Sequence, residues 1–169
     1  MVSFKRLLIA GLLLGIGIGA YFHFFPNEEK RVRKQFQLLS EQVAREPGED
    51  LLSTTQRVKH IGRSFTDPCE FKIEGDPLYA LSGKVTREEV MGYALRGRSY
   101  FSNLSMKFYD LKVEFPERGR ASVHLTARLT GRSVSGENVE ETRELLCGLS
   151  NVENRWLVQT LEVVEILKR

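Results

Sequence analysis

From Met106 to Leu167 apolar and polar residues alternate over long runs, and such a chain is constrained to build a sheet with one buried face. The clearest run is Arg120–Arg132. Ala121, Val123, Leu125, Ala127 and Leu129 share one parity, and Ser122, His124, Thr126, Arg128 and Thr130 share the other. Before it, Met106–Phe115 carries Phe108, Leu111, Val113 and Phe115, and Pro116-Glu-Arg-Gly119 reads as the hairpin break. After it, Gly131 and Gly136 flank a looser loop. Val139–Leu149 follows, then a turn over Ser150–Asn154, then Trp156–Leu167. Short loops between successive strands predict an antiparallel meander. The last strand is apolar on both parities, which predicts a central position.

Upstream, helices are expected. Asn27 can cap a helix whose first turn holds Glu28 and Glu29, and Val32, Phe36, Leu39 and Val43 form one apolar stripe on it. Pro47-Gly48 ends that helix. Asp50 caps a second, with Leu51, Thr55, Val58, Ile61 and Phe65 as its inward stripe and Asp67-Pro68 as its stop. His60 neighbours that stripe, where a lone His is a packed or surface residue more often than a ligand. Cys69–Glu74 and Leu78–Val85 read as a short hairpin. Thr86-Arg-Glu-Glu89 is a capping box opening a third helix to about Phe101, with Val90, Tyr93, Ala94, Gly97 and Phe101 inward. Gly92 and Gly97 predict close packing of that helix on the sheet.

The N-terminus is different in kind. Lys5 and Arg6 precede Leu7–Phe25, which holds no Asp, Glu, Lys or Arg. At about 1.5 Å per residue a helix of that length spans about 28 Å, close to the roughly 30 Å of a bilayer core. The reading is an uncleaved transmembrane anchor over residues 1–26, followed by one folded domain over 27–169. A cleaved signal peptide fits less well, because Ile18 occupies a position that wants a small residue. Gly11, Gly15 and Gly19 share one helix face at the spacing that lets two membrane helices approach, although Gly is common in such helices for other reasons. Lys5 and Arg6 favour a cytoplasmic N-terminus, while Lys30, Arg31, Arg33 and Lys34 argue the reverse. The reading adopted is a single-pass protein of a bacterial inner membrane with its domain extracytoplasmic. The second basic run is a solvated helix face or a contact with lipid headgroups.

A net charge of +3, dispersed along the chain without an Arg/Lys stripe among aromatics, argues against nucleic acid. No nucleophile elbow, P-loop, dinucleotide fingerprint or metal-ligand spacing occurs, so no cofactor, metal or catalytic residue is assigned. Cys69 and Cys147 read either as small buried hydrophobes or as a disulfide, the latter only in an oxidising compartment.

The order helix, helix, short hairpin, helix and long strands resembles the NTF2-like (SnoaL-like, cystatin-like α+β) superfamily from about Glu28 to Arg169. Arg155–Leu167 looks like its last strand, and Glu140–Leu149 like the strand before it. The resemblance implies an α+β cone: about three helices on a curved, mainly antiparallel sheet around a cavity. It implies that the outer face of the sheet can carry a homodimer, and that enzymes of this fold set a carboxylate or His base in the cavity beside a Tyr or second acid. Tyr93, Tyr109, Asp110, His124, Arg128 and Glu162 are the residues here that could fill such roles. Glu162 shares parity with Trp156, Val158 and Val164, the parity of an inward carboxylate, yet edge positions and strand ends routinely carry Glu, and the polar parity of His124 and Arg128 is equally that of a solvent face. The fold spans isomerases, dehydratases, cyclases and non-catalytic members. The preferred function is a non-catalytic interaction or assembly module of the envelope. The alternative is an enzyme or binder for a small apolar ligand. Should the glycine face be used, Gly15→Ile lowers the yield of cross-linked dimer in membranes, and an unchanged yield dismisses it.

Overall fold

The computed structural model describes residues 28–73 and 81–167. The expected span Leu7–Phe25, with Gly11, Gly15 and Gly19, lies outside them. Among the described residues no helix is long and apolar enough to cross a membrane.

Helix α1 covers 28–43 and buries the stripe its spacing predicts, Val32, Phe36 and Leu39, with Val43 packed beside them. Helix α2 (Leu51–Arg63) opens on Asp50, whose carboxylate accepts the Ser53 backbone N–H at 2.8 Å. That bond and the one from the Ser53 hydroxyl hold Asp50 below its ordinary pKa. The stripe expected on α2 is only half realised. Val58, Ile61 and Gly62 are buried, but Leu51 is 79% exposed and Thr55 faces solvent, so only the last turns pack. The helix also stops at Arg63, ahead of the predicted stop. Strand β1 (Phe65–Ile73) has already begun, with the cis Asp67–Pro68 bond inside it. The cause is long-range: Ser64 O accepts the Val158 N–H at 2.9 Å, and Phe65 falls in parallel register with Val158.

Strand β2 (Leu81–Val85) pairs antiparallel with β1. Helix α3 (Arg87–Tyr100) starts on the predicted capping box, Thr86 N–H to Glu89 Oε2 at 2.8 Å and Glu89 N–H to Thr86 Oγ1 at 3.3 Å. Its inner face differs from expectation. Val90 is buried and Ala94 packs on the core, yet Tyr93 and Gly97 are exposed. Nothing lies near the space a Cβ would take at Gly92 or Gly97. The close helix approach is at Gly62 of α2, where a Cβ would stand 2.6 Å from Met91 Cγ.

Strands β3 (Phe101–Glu117), β4 (Arg120–Ser133), β5 (Asn138–Val152) and β6 (Arg155–Leu167) complete a six-stranded sheet in the order β2-β1-β6-β5-β4-β3. Only the β1/β6 pairing is parallel, and β6 lies centrally as its two-sided apolarity predicts. Strand β3 begins five residues before Met106, directly from α3, and Gly131 of β4 permits the close pairing there, since a Cβ would stand 2.6 Å from Asn103 O. Pro116 belongs to β3 after all. It is tolerated because β3 is an edge strand. The β5–β6 turn contracts to Glu153-Asn154, both at positive φ, the conformation that matches a two-residue hairpin to the twist of its strands. On β4, Ala121, Val123, Leu125 and Ala127 are buried as their alternation requires.

Among the described residues Arg98, on the last turn of α3, is the largest fully buried side chain, at 2% exposure. Its guanidinium donates to Gln42 O and Val43 O, each at 2.7 Å, and to Ala44 O. These are carbonyls at the C-terminal end of α1, which carry partial negative charge and lack helical partners. It also pairs with Glu49 at 2.6 Å. Burial pulls Arg98 below its ordinary pKa, and Glu49 opposes that pull. Arg45 returns the favour, donating to Arg98 O and Phe101 O at 2.7 Å where α3 ends. Removing one partner of a buried ion pair costs about 3–5 kcal/mol. Arg98→Met is therefore expected to lose stability of that order, read as a lowered midpoint in denaturant titration, while Glu49→Gln, which keeps an acceptor for Arg98, loses less.

Candidate functional site

The concave side of the sheet, where a cone would hold a ligand, carries the apolar core. Phe36, Phe65, Phe71 and Trp156 are buried there with Val123, Leu125, Cys147 and Leu149. Rings meet edge-on, Phe36 with Phe108 at 5.5 Å and Phe65 with Phe71 at 5.7 Å, and Phe115 tilts onto Trp156 at 5.8 Å. The indole N–H of Trp156 donates to Glu28 Oε2 at 2.7 Å, so the first turn of α1 satisfies the one polar atom of that ring.

The polar candidates are not gathered in this interior. His124 takes the polar parity of β4, on the outer face, with Nε2 3.5 Å from Glu144 Oε2 on β5. Arg128 is on the same face, 2.8 Å from Glu140. Tyr93 is exposed on α3 with the Arg96 guanidinium over its ring at 4.9 Å. Tyr109 is 42% exposed at the β3 edge, lining an open pocket of about 290 Å³ with Arg33, Phe36, Ser40, Lys107 and Phe108. Asp110 beside it takes φ 55° where the β3 register shifts.

Glu162 requires a correction. The β5/β6 register shifts between Gly148↔Thr160 and Leu149↔Val158. One extra residue reverses the parity of a strand. Trp156 and Val158 are buried before the bulge; after it Leu161 and Val163 pack on the core. Glu162 is turned outward, 44% exposed and 3.8 Å from Lys72 Nζ on β1. The bulge coincides with Gly148, whose absent Cβ would stand 2.5 Å from Thr160 Oγ1 and whose N–H donates to that oxygen at 3.0 Å.

Cys69 and Cys147 are free and buried. They stand on β1 and β5 with the whole of β6 between. Two strand spacings come to about 9.6 Å, beyond the roughly 7 Å limit for disulfide Cα atoms. The packed-hydrophobe reading describes them in this structure. Burial pushes the Cys147 thiol up to about 12 and raises that of Cys69 as well. Among the described residues no group of three or more His, Cys, Asp or Glu could hold a metal ion.

What the structure does assemble is an open groove of about 610 Å³ between α1, α2 and the β5–β6 turn. Arg31 and Lys34 of α1, His60 and Arg63 of α2 and Arg155 of β6 line it, over Leu38, Trp156 and Leu157. No carboxylate lines it. Arg31 is fixed there, donating to Asn154 Oδ1 at 2.9 Å and pairing with Glu28 at 2.7 Å. Sequence reading found two of these residues as part of a basic run. Arg63 and Arg155 were not marked, because they come from distant elements with no local pattern.

No protein-family model and no curated protein matches the sequence. Solved structures do. Aln2 from a Streptomyces species superposes with a TM-score of 0.61 at 16% identity, over 82% of this chain and 90% of that one. A putative scytalone dehydratase from Novosphingobium aromaticivorans gives 0.64 at 13%, over 83% and 85%. A hexachlorocyclohexane dehydrochlorinase, LinA type 2, gives 0.63 at 12%, over 83% and 88%. At these identities the likeness is one of fold, and the architecture fits the NTF2-like α+β cone.

The thiols yield a pH prediction. An unfolded Cys ionises near 8.5, whereas folded Cys147 does so near 12. Its contribution to stability is therefore complete below about pH 8.5 and is lost as pH rises toward the folded value. Native protein at pH 8 should resist a thiol reagent at both cysteines and react fully in denaturant. Rapid labelling of the native state would contradict the burial.

Proposed function

We propose that this chain is a membrane-tethered, non-catalytic interaction module on an NTF2-like scaffold, serving assembly in a bacterial envelope. The observation that carries the reading is the apolar interior, which none of the polar candidates enters. A general acid or base must come within hydrogen-bond reach of its substrate, and the buried interior presents Phe36, Phe65, Phe71, Leu125 and Trp156 in place of an acid/base pair. His124, Arg128 and Glu162 stand on the opposite face, each engaged with a charged neighbour. The tether is the uncharged run Leu7–Phe25, and the extracytoplasmic placement belongs to the same proposal.

The outer face of β4–β6 is the surface we assign to a second copy. It mixes exposed apolar residues, Leu146 at 37% and Val164 at 53%, with the His124–Glu144 contact and the ion pair Arg128–Glu140. Opposed charges beside apolar side chains suit a self-complementary contact. Cross-linking of the full chain in mild detergent should trap a dimer. Leu146→Asp with Val164→Asp removes burial worth on the order of 3 kcal/mol, about a hundredfold in dissociation constant. Free monomer throughout would count against the module.

A second reading, an enzyme or binder for a small apolar molecule, is favoured by the dehydratase and dehydrochlorinase among the similar folds. It requires side chains of the core to move aside. A panel of apolar ligands that raises the melting temperature would favour it over the first.

A further inference from the structure

We propose that the basic groove between α1, α2 and the β5–β6 turn is a seat for anionic phospholipid headgroups, so that the domain rests on the membrane that holds it. This rests on the tether read from Leu7–Phe25.

Charge is the first ground. Lys34, Arg63 and Arg155 converge on one groove beside Arg31, which Glu28 engages, and no lining residue of the groove is acidic, on a chain whose net charge is only +3. Arginines elsewhere on the domain are mostly engaged: Arg33 with Glu29, Arg57 with Glu49, Arg120 with Glu117, Arg128 with Glu140 and Arg143 with Glu141. Lys34, Arg63 and Arg155 have no ion-pair partner among the described residues, and all three are exposed. Unpaired cations held side by side repel one another, and a phosphodiester between them relieves that repulsion. The fixed position of Arg31 gives the site one preorganised donor.

Reach is the second ground. Only Pro26 and Asn27 separate Phe25 from Glu28, the first described residue of α1. Three residue steps cover at most about 11 Å, and Lys34 lies about 9 Å further along the helix. The groove is thus leashed within about 20 Å of the end of the apolar run, close enough to settle onto the surface, where each Lys or Arg adds about fivefold attraction to an anionic leaflet. The apolar floor is the third ground. Leu38 is 41% exposed at the rim above Trp156 and Leu157, a fit for the glycerol and upper acyl part of a lipid and a poor fit for a bare inorganic anion.

The test places the full chain in nanodiscs of neutral phosphatidylcholine or of an equimolar mixture with phosphatidylglycerol. It follows acylation of Lys34 by mass spectrometry, with Lys84 on β2 as the remote control. The expected result is incorporation into both discs, with Lys34 labelling several-fold slower in the anionic ones, Lys84 unchanged, and the protection lost in high salt or in R63E/R155E. Incorporation into both with equal Lys34 labelling overturns the groove assignment and leaves the tether standing. Incorporation only into anionic discs, abolished by R63E/R155E, keeps the groove and overturns the tether. Failure to join either disc overturns both. Equal protection by free inorganic phosphate in neutral discs assigns the groove to a small anion and overturns the lipid assignment.

Discussion

The exchange of arginines between α1 and α3 is the contact on which the arrangement of this domain depends. Arg98 leaves α3 to gather the last carbonyls of α1, and Arg45 leaves the end of α1 to gather those of α3. Each helix end carries a partial negative charge that the apolar layer beneath cannot satisfy. A guanidinium with several donors in a plane answers more of those carbonyls than an ammonium would. The ion pair with Glu49 then sets the chain between α1 and α2. The same junction touches the sheet, because Arg45 exchanges backbone hydrogen bonds with Leu104 at 2.8 and 3.0 Å.

That junction also disposes of an edge problem. Strand β3 is long and outermost, and a bare edge invites pairing with another chain. Here α1 spends side chains on it: Arg33 donates to Leu111 O at 2.9 Å and Ser40 to Met106 O at 2.5 Å. The register shift at Asp110 further interrupts the edge. With α1 drawn down along β3, its apolar stripe packs on the core, and the rings of Phe36 and Phe108 meet edge-on.

Much of the fold was legible because its signals are local. The parity of Ala121, Val123, Leu125 and Ala127, the Val32–Phe36–Leu39 stripe and the Thr86–Glu89 box each depend on residues within one element, and each holds. The errors share a cause. Asp67-Pro68 read as a helix stop until β6 captured the chain at Phe65. Glu162 read as inward until a bulge opposite Gly148 reversed β6. Tyr93 and Gly97 read as a packed helix face, yet the buried member of that turn is Arg98, a residue whose composition prior places it outside. Each was decided by a partner distant in sequence.

The amino-acid sequence by itself determined that this is an α+β chain with a sheet-forming C-terminal third, amphipathic helices before it and an uncharged N-terminal run, because periodicity and caps act over a few residues. Only the tertiary structure decided which polar groups share a place. It separated His124, Arg128 and Glu162 from the interior, filled that interior with rings, and brought Arg63 and Arg155 beside Lys34. Register, bulges and helix crossings set those distances, and they arise from packing between elements that no single stretch of chain encodes.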